Sequence, residues 1–425
     1  MRDDREDEEL LEEEETSVTG VKSLFRKKNN REGDEEEQEK TGIHFSVIRK
    51  VIIIVVILVV TYFLITKLFP GMNYNGYEVV EETGITNASM ADYVPYQKSI
   101  LKYSRDGATY VDEKGEAIWT ETFAMKMPAA DVCGDYVAIA DLNGNDVYIF
   151  DKEGKVSSTT MPYTISDIAV AGQGEFAVIL EGEKENYINL YDRKGSQIME
   201  RKTAIDQNGY PLDMDLSANG EKLFSSYLAI NEAGELESKL TASNFGEVGQ
   251  NENADRMVGA YQLDDTIVPK VEFLDDNTIC AFGDNQFLIF SMKEKSSKKA
   301  TISFKEEIQS VIYNSQYVGV VMLNDDEKSE APYVLYLYNM NGHEVLKKEI
   351  DIDYKKVKMT EDEIIFTGGN QARIYTMDGK VKFSCTFSKN VNDMIPTGYS
   401  KRYIVLYESG SEVVRLCHKS EKEKS

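Results

Sequence analysis

Three histidines and four cysteines are all that this chain offers for imidazole, thiol or soft-metal chemistry. His44, His343 and His418 stand far apart, and none belongs to a Ser/His/Asp or Cys/His arrangement that would activate a nucleophile. Cys133, Cys280, Cys385 and Cys417 contain no Cys-x-x-Cys. They suit buried strand positions better than metal or redox sites, and their spacing selects no disulfide pair. Carboxylates are abundant instead. Asp264-Asp265, Asp275-Asp276 and Asp325-Asp326 carry the residue type of glycoside hydrolysis, but their flanks read as solvated turn tips. Asp213-Met-Asp215-Leu-Ser217-Ala-Asn-Gly220 opens like a calcium loop. Its Gly falls eighth instead of sixth, and Phe224 stands where a bidentate Glu would close the site. Asp141-Leu-Asn-Gly-Asn-Asp146 reads as a hairpin turn. No catalytic residue, metal or cofactor is assigned.

One constellation has more promise. Eight short strands begin with Asp92, Asp131, Asp167, Asp213, Lys270, Ser310, Lys356 and Asp393. If these strands surround one axis, five carboxylates, two ammonium groups and a hydroxyl ring a single channel mouth. Low-dielectric walls would focus that field on a cation or a basic peptide. The structural alternative is that each Asp accepts backbone N–H bonds at a blade corner while the lysines neutralise neighbours.

The elements that must position this ring repeat along the chain. An apolar strand, an Asp or Asn and a tight turn ending in Gly recur in Tyr110–Gly115, Ile149–Gly154, Leu190–Gly195, Ala229–Gly234, Leu337–Gly342 and Ile374–Gly379. Ile289-Phe-Ser-Met-Lys-Glu294 is a copy without the Gly. Gly supplies the positive φ and the Asp or Asn caps the turn. The starts of the ring strands lie 39, 36, 46, 57, 40, 46 and 37 residues apart. A period of about 40–45 residues with four short strands is a β-propeller blade. The fold class is therefore all-β, a propeller of eight blades, with seven as the alternative if the stretch 244–267 hides a different phase. Tyr77-Glu-Val-Val80 has no blade of its own and is expected to complete the last one, closing the ring and removing exposed sheet edges.

Before the repeats, Val51 to Thr66 is free of charged residues, and through Phe69 the segment has 19 residues. As a helix it would be roughly 28 Å long, enough to cross a bilayer, and it shows no polar face. Some fifty polar residues precede it, which argues for a signal anchor and against a cleaved signal peptide. Arg49 and Lys50 adjoin its start, so the N-terminus is expected in the cytosol and the propeller outside. The chain carries 48 Lys+Arg against 74 Asp+Glu, a net charge of −26, which argues against nucleic acid as a partner. The expected organisation is an acidic disordered tail (1–45), a transmembrane helix (46–69), a linker with the ring-closing strand (70–90), the propeller (91–417) and a charged end (418–425). Leu10, Leu11, Leu24 and Phe25 in the tail are candidates for docking a cytosolic partner.

Asp215-Leu-Ser217-Ala-Asn219-Gly220-Glu-Lys-Leu223 resembles the Asp-x-Ser-x-Asp-Gly-x-x-Leu turn of WD40-like and TolB-like propellers, with Asn219 in place of the second Asp. The hairpin copies resemble the quinoprotein-like superfamily. Trp119 is the single Trp and no vicinal Cys pair exists, so pyrroloquinoline quinone is not expected. Asn244–Asn251, Ile267–Phe273 and Ala281–Asn285 make the chain similar to an uncharacterised membrane-anchored family of Gram-positive bacteria. The expected function is an extracytoplasmic binding or scaffold module for a cell-envelope protein, peptide or glycan. A metal-assisted hydrolase or lyase working at the channel is the alternative.

Overall fold

The computed structural model describes residues 73–419 apart from 87–90, 98, 113–115, 254 and 265, together with Lys50, Ile53, Val55 and Val56. The acidic tail, most of the expected span at 46–69 and residues 420–425 lie outside the described residues. Among the described residues no helix is long and apolar enough to cross a membrane. The chain divides into two compact units, Met1–Gly71 and Met72–Ser425.

Eight four-stranded antiparallel sheets make up the second unit. Seven are consecutive in sequence, at 92–122, 128–160, 164–204, 210–263, 270–303, 310–350 and 356–386. The eighth takes three strands from 391–417 and its outermost strand, Gly76–Thr86, from the other end of the chain. Gly76 pairs with Cys417 and Thr86 with Gly410. The expected closure and eight blades are both observed, and the seven-blade alternative falls away.

Position in the blade explains the strand sequences. Second strands are covered on both faces by neighbouring blades, so they read as apolar runs: Phe176–Glu181 is buried over its first five residues and Thr278–Phe282 throughout. Outer strands have one wet face and alternate, as in Gln197–Ala204. The core is thereby divided into eight apolar clusters, one at each blade boundary. Ile179, Ile188, Met214 and Leu223 join blades 3 and 4, while Ile100, Val111, Ile395 and Val413 join blades 1 and 8.

The Gly turns form as expected at Gly154, Gly195, Gly234, Gly342 and Gly379, while Gly115 lies outside the described residues. Asp192 Oδ1 accepts from the N–H groups of Lys194 and Ser196 at 2.9 and 2.8 Å, and Gly195 adopts φ +85°. This tip lies on the outer strand of the preceding blade, where a Cβ on Gly195 would fall 2.0 Å from Thr159 Oγ1. One copy differs from its expected place. Ala229–Gly234 joins the second and third strands of blade 4, whereas the copies at Ile149–Gly154, Leu190–Gly195, Leu337–Gly342 and Ile374–Gly379 join third to fourth. In blade 4 that connection is the insertion 245–256, with a short helix at Glu247–Glu252. The insertion accounts for the 57-residue interval.

Candidate functional site

The innermost strands bring the eight ring positions around one axis, on two levels. Asp167 Oδ2 accepts from Met214 N–H in the next blade at 3.1 Å, and Asp213 Oδ2 from Val271 N–H at 2.6 Å. These bonds align Asp167, Asp213 and Lys270 on one level. Asp131 Oδ2 accepts from Val170 N–H and Asp215 Oδ2 from Phe273 N–H, each at 2.6 Å. That pattern aligns Asp131, Ala169, Asp215 and Glu272 two residues further along. Asp131 therefore does not occupy the ring position assigned to it; Ala129 does. The small residues Ala129 and Ala130 gave no polar marker, and Asp131 was the nearest match.

Asp167 and Asp215 each tie two backbone segments. Asp167 Oδ1 accepts from its own successor Ile168 N–H, and Asp215 Oδ1 from Leu216 N–H. The other oxygen reaches the neighbouring blade. The carboxylates thus fasten neighbouring inner strands from blade 2 to blade 5. This is the backbone-capping role, with the partner in the next blade instead of at a corner.

Charge is unevenly shared. Blades 2 to 5 contribute Asp131, Asp167, Asp213, Asp215 and Glu272 against Lys270, whose Nζ lies 2.9 Å from Glu272. Burial pushes the Asp131 carboxyl up to about 6, opposed by the Val170 N–H bond. Burial likewise raises Asp213 to about 6, with Lys270 holding it back. Asp167 is raised by burial and by Asp213 beside it; Asp215 is raised by burial, Glu272 and Asp131. For Lys270 burial works downward, but Glu272, Tyr313 and Asp213 together outweigh it and hold the ammonium above its ordinary value. Its Nζ also lies 5.9 Å from the centre of the Tyr313 ring. Across the axis the balance reverses. Asp393, buried, takes Lys356 Nζ at 2.6 Å and Lys358 Nζ at 2.5 Å. Burial opposes its charge, but the two lysines hold its carboxyl below the usual range.

The remaining positions stand apart. Ser310 Oγ and Tyr354 Oη share a 2.7 Å hydrogen bond. Asp92 is exposed and, with Arg105, Asp106 and Lys126, lines a hollow of about 520 Å³ between blades 1 and 2. Asp215, Glu272 and Lys358 were missed as channel residues. Each stands two residues after a recognised ring position, so the strand period alone places it on the same face. Tyr313 has no such marker. Among the described residues no three His, Cys, Asp or Glu side chains converge as metal ligands. All four cysteines are free thiols, Cys280 buried and the others partly so.

A closed eight-bladed β-propeller with inner strands laced by aspartate is the class of protein these features define. Within that class the chain belongs to DUF5711, a family of unknown function, which matches residues 71–416. No curated protein matches the chain. Among solved structures, Sqt1 of Saccharomyces cerevisiae is similar with a TM-score of 0.51 and 12% identity, over 81% of this chain and 100% of that one. BamB from Moraxella catarrhalis gives 0.49 and 11%, over 81% and 99%. The Neurospora crassa Pan2 WD40 domain gives 0.43 and 12%, over 69% and 89%. At these identities the likeness concerns the fold alone.

Proposed function

We propose that this protein is a single-pass, membrane-anchored propeller that acts outside the cytoplasm as a binding scaffold for a cell-envelope protein. The observation that carries the binding reading is the fastening of blades 2 to 5 at the channel. The channel carboxylates Asp131, Asp167, Asp213 and Asp215 each hold a backbone N–H of the neighbouring blade. Groups so engaged stiffen a platform whose rim and loops remain for recognition. Carboxyls near pH 6 are what acid–base catalysis would need, but those of Asp131 and Asp213 are half-buried and already bonded to backbone. The anchor rests on the charge-free run at 51–66 with Arg49 and Lys50 before it. The tail 1–45 would then face the cytosol.

In-cell crosslinking with mass spectrometry tests this reading, on the full chain and on a variant lacking residues 1–40. Capture of the same envelope proteins by both supports an outward binding module. Capture of cytosolic proteins alone, or protection of the propeller from protease added to intact cells stripped of their wall, would sink it.

A further inference from the structure

The chain enters the propeller beside a patch of cations laid on tyrosines. Asn73 is the first described residue of the propeller. Tyr74 N–H donates to the Lys382 carbonyl at 2.8 Å, and Gly76 starts the closing strand opposite Cys417. Around this entry, Lys401 Nζ lies 5.1 Å from the centre of the Tyr74 ring, and the His418 ring lies 4.8 Å from the same ring. Lys419 N–H donates to Asn75 Oδ1 at 2.8 Å, while its Nζ lies 5.3 Å from the centre of the Tyr77 ring. Arg402 Cζ lies 5.1 Å from the centre of the Tyr399 ring. The Leu416 N–H donates to the Lys401 carbonyl at 2.9 Å, and Arg402 is the strand partner of Arg415. One end of blade 8 thus gathers Lys401, Arg402, Arg415 and Lys419 with Tyr74, Tyr77 and Tyr399.

These cations lack counter-ions. Lys401, Arg415 and Lys419 are exposed and Arg402 is half-buried. Among the described residues none of the four has a carboxylate within ion-pair distance. Glu78, opposite Arg415 on the closing strand, is the acid that the register brings beside them. Two arginines directly opposite one another on neighbouring strands repel, so the arrangement favours an anion from outside. Composition does not account for such a group in a chain of net charge −26. The other end of the blades differs. Connections between second and third strands open there, and in blade 6 that connection, 324–332, holds Asp325, Asp326, Glu327 and Glu330 against Lys328.

We propose that this end of blade 8 rests on the outer membrane surface beside the anchor, with Lys401, Arg402, Arg415 and Lys419 on the phosphates of anionic lipids and Tyr399 at headgroup level. The proposal rests on the anchored reading and adds which surface of the propeller meets the lipid. Tether length selects the occupant. Pro70 to Met72 separate Asn73 from Phe69, the end of the expected span, so the connection covers at most roughly 14 Å. A surface tethered so closely meets lipid at high effective concentration, and a gain of about fivefold per cation is enough to hold it there. Charge selects anionic over neutral lipid and turns the acidic connection of blade 6 away. Tyrosine beside lysine and arginine is also the composition of a membrane interface.

The test is photo-crosslinking of the full chain in nanodiscs of equal parts phosphatidylcholine and phosphatidylglycerol. A trace of one lipid or the other carries a photoreactive group near its headgroup, and labelled residues are mapped by mass spectrometry. Phosphatidylglycerol is expected to label 399–402 and 415–419 at least about fivefold more than phosphatidylcholine does, and high salt should erase the difference. Lys401→Gln combined with Lys419→Gln should remove the preference, while Lys298→Gln with Lys299→Gln, on blade 5, should leave it. The salt series on the wild type decides the matter where the first variant fails to fold. Equal labelling by the two lipids, labelling concentrated on 324–332, or a preference that survives in the first variant would overturn the proposal. A chain that takes label from neither lipid and washes off membranes in alkaline carbonate would sink the anchored reading itself, and this surface with it.

Discussion

Replacing Asp213 by Asn should flatten the pH dependence of stability between pH 5 and 7.5. Asp131 and Asp213 each have carboxyls raised from 3.8 to about 6, chiefly by burial. A raised acid favours the protonated native state. Its contribution to stability is complete below 3.8 and is lost as pH rises through 6. Over the window from pH 5 to 7.5, one such group changes the folding free energy by about 1.4 kcal/mol. The two sites feel each other, so the pair contributes about 2 kcal/mol, and Asp167 and Asp215 act in the same direction. Acids with lowered pKa, such as Asp378 at about 2 and Asp393, lose stability only as pH falls through and below the ordinary range, outside this window. The wild-type chain should therefore resist urea better at pH 5 than at pH 7.5. Asn keeps an oxygen for Val271 N–H but cannot titrate, so Asp213→Asn should remove about 1 kcal/mol of the difference. Urea midpoints at three pH values measure this. A wild type most stable at pH 7.5, or an identical slope in the variant, would refute the account of the channel.

Other perturbations probe the turns, the blade boundaries and the closure. Gly195 and Gly234 have nearly equal φ, +85° and +87°, but a Cβ meets Thr159 at the first and nothing within 4 Å at the second. Gly234→Ala should thus cost about 1–2 kcal/mol from backbone strain alone, and Gly195→Ala clearly more in the same denaturation assay. Glu363 is buried, accepts from Tyr403 Oη at 2.8 Å and from Lys382 Nζ at 2.5 Å, and joins blades 7 and 8. Lys382→Met should cost about 3 kcal/mol by leaving that carboxylate without its cation, and adding Glu363→Gln should recover part of it; a purely additive double mutant would contradict this. A chain beginning at Asn87 lacks the outer strand of blade 8 and should elute as oligomers, with a synthetic 72–86 peptide restoring the monomer. A monomer without the peptide would show that the strand is dispensable.

The fold was legible because it repeats. A capped Gly turn encodes its own geometry, and the starts of the ring strands, 36 to 57 residues apart, pointed to eight blades with seven as the alternative. The stray strand at Tyr77 was placed by elimination, since every other strand already had a sheet. The hairpin at Ala229–Gly234 shows the limit of that signal: the turn chemistry is the same whichever two strands it joins. The ring was legible to one side chain per strand. Its second level followed from the strand period, yet Asp215 and Glu272 were passed over because the apolar residue between them and the ring marker dominated the pattern. Asp131 was misplaced because register depends on which backbone N–H in the next blade its carboxylate meets, a contact between segments 39 residues apart.

Closing the ring with Gly76–Thr86 also sets a schedule for biogenesis. Translation runs from the N-terminus, so this strand emerges first among the described strands and its partner, Gly410–Cys417, last. At about 5–20 residues per second, the first strand waits roughly 15–65 s before its mate exists. Throughout that interval it is a strand with two open edges. Glu78 and Glu81 within it discourage pairing with the wrong neighbour. Seven blades can collapse as they are made, but the last joining step waits for the last of these strands. A crowded cell gives that step two outcomes: the strand closes its own ring, or it closes that of a neighbour.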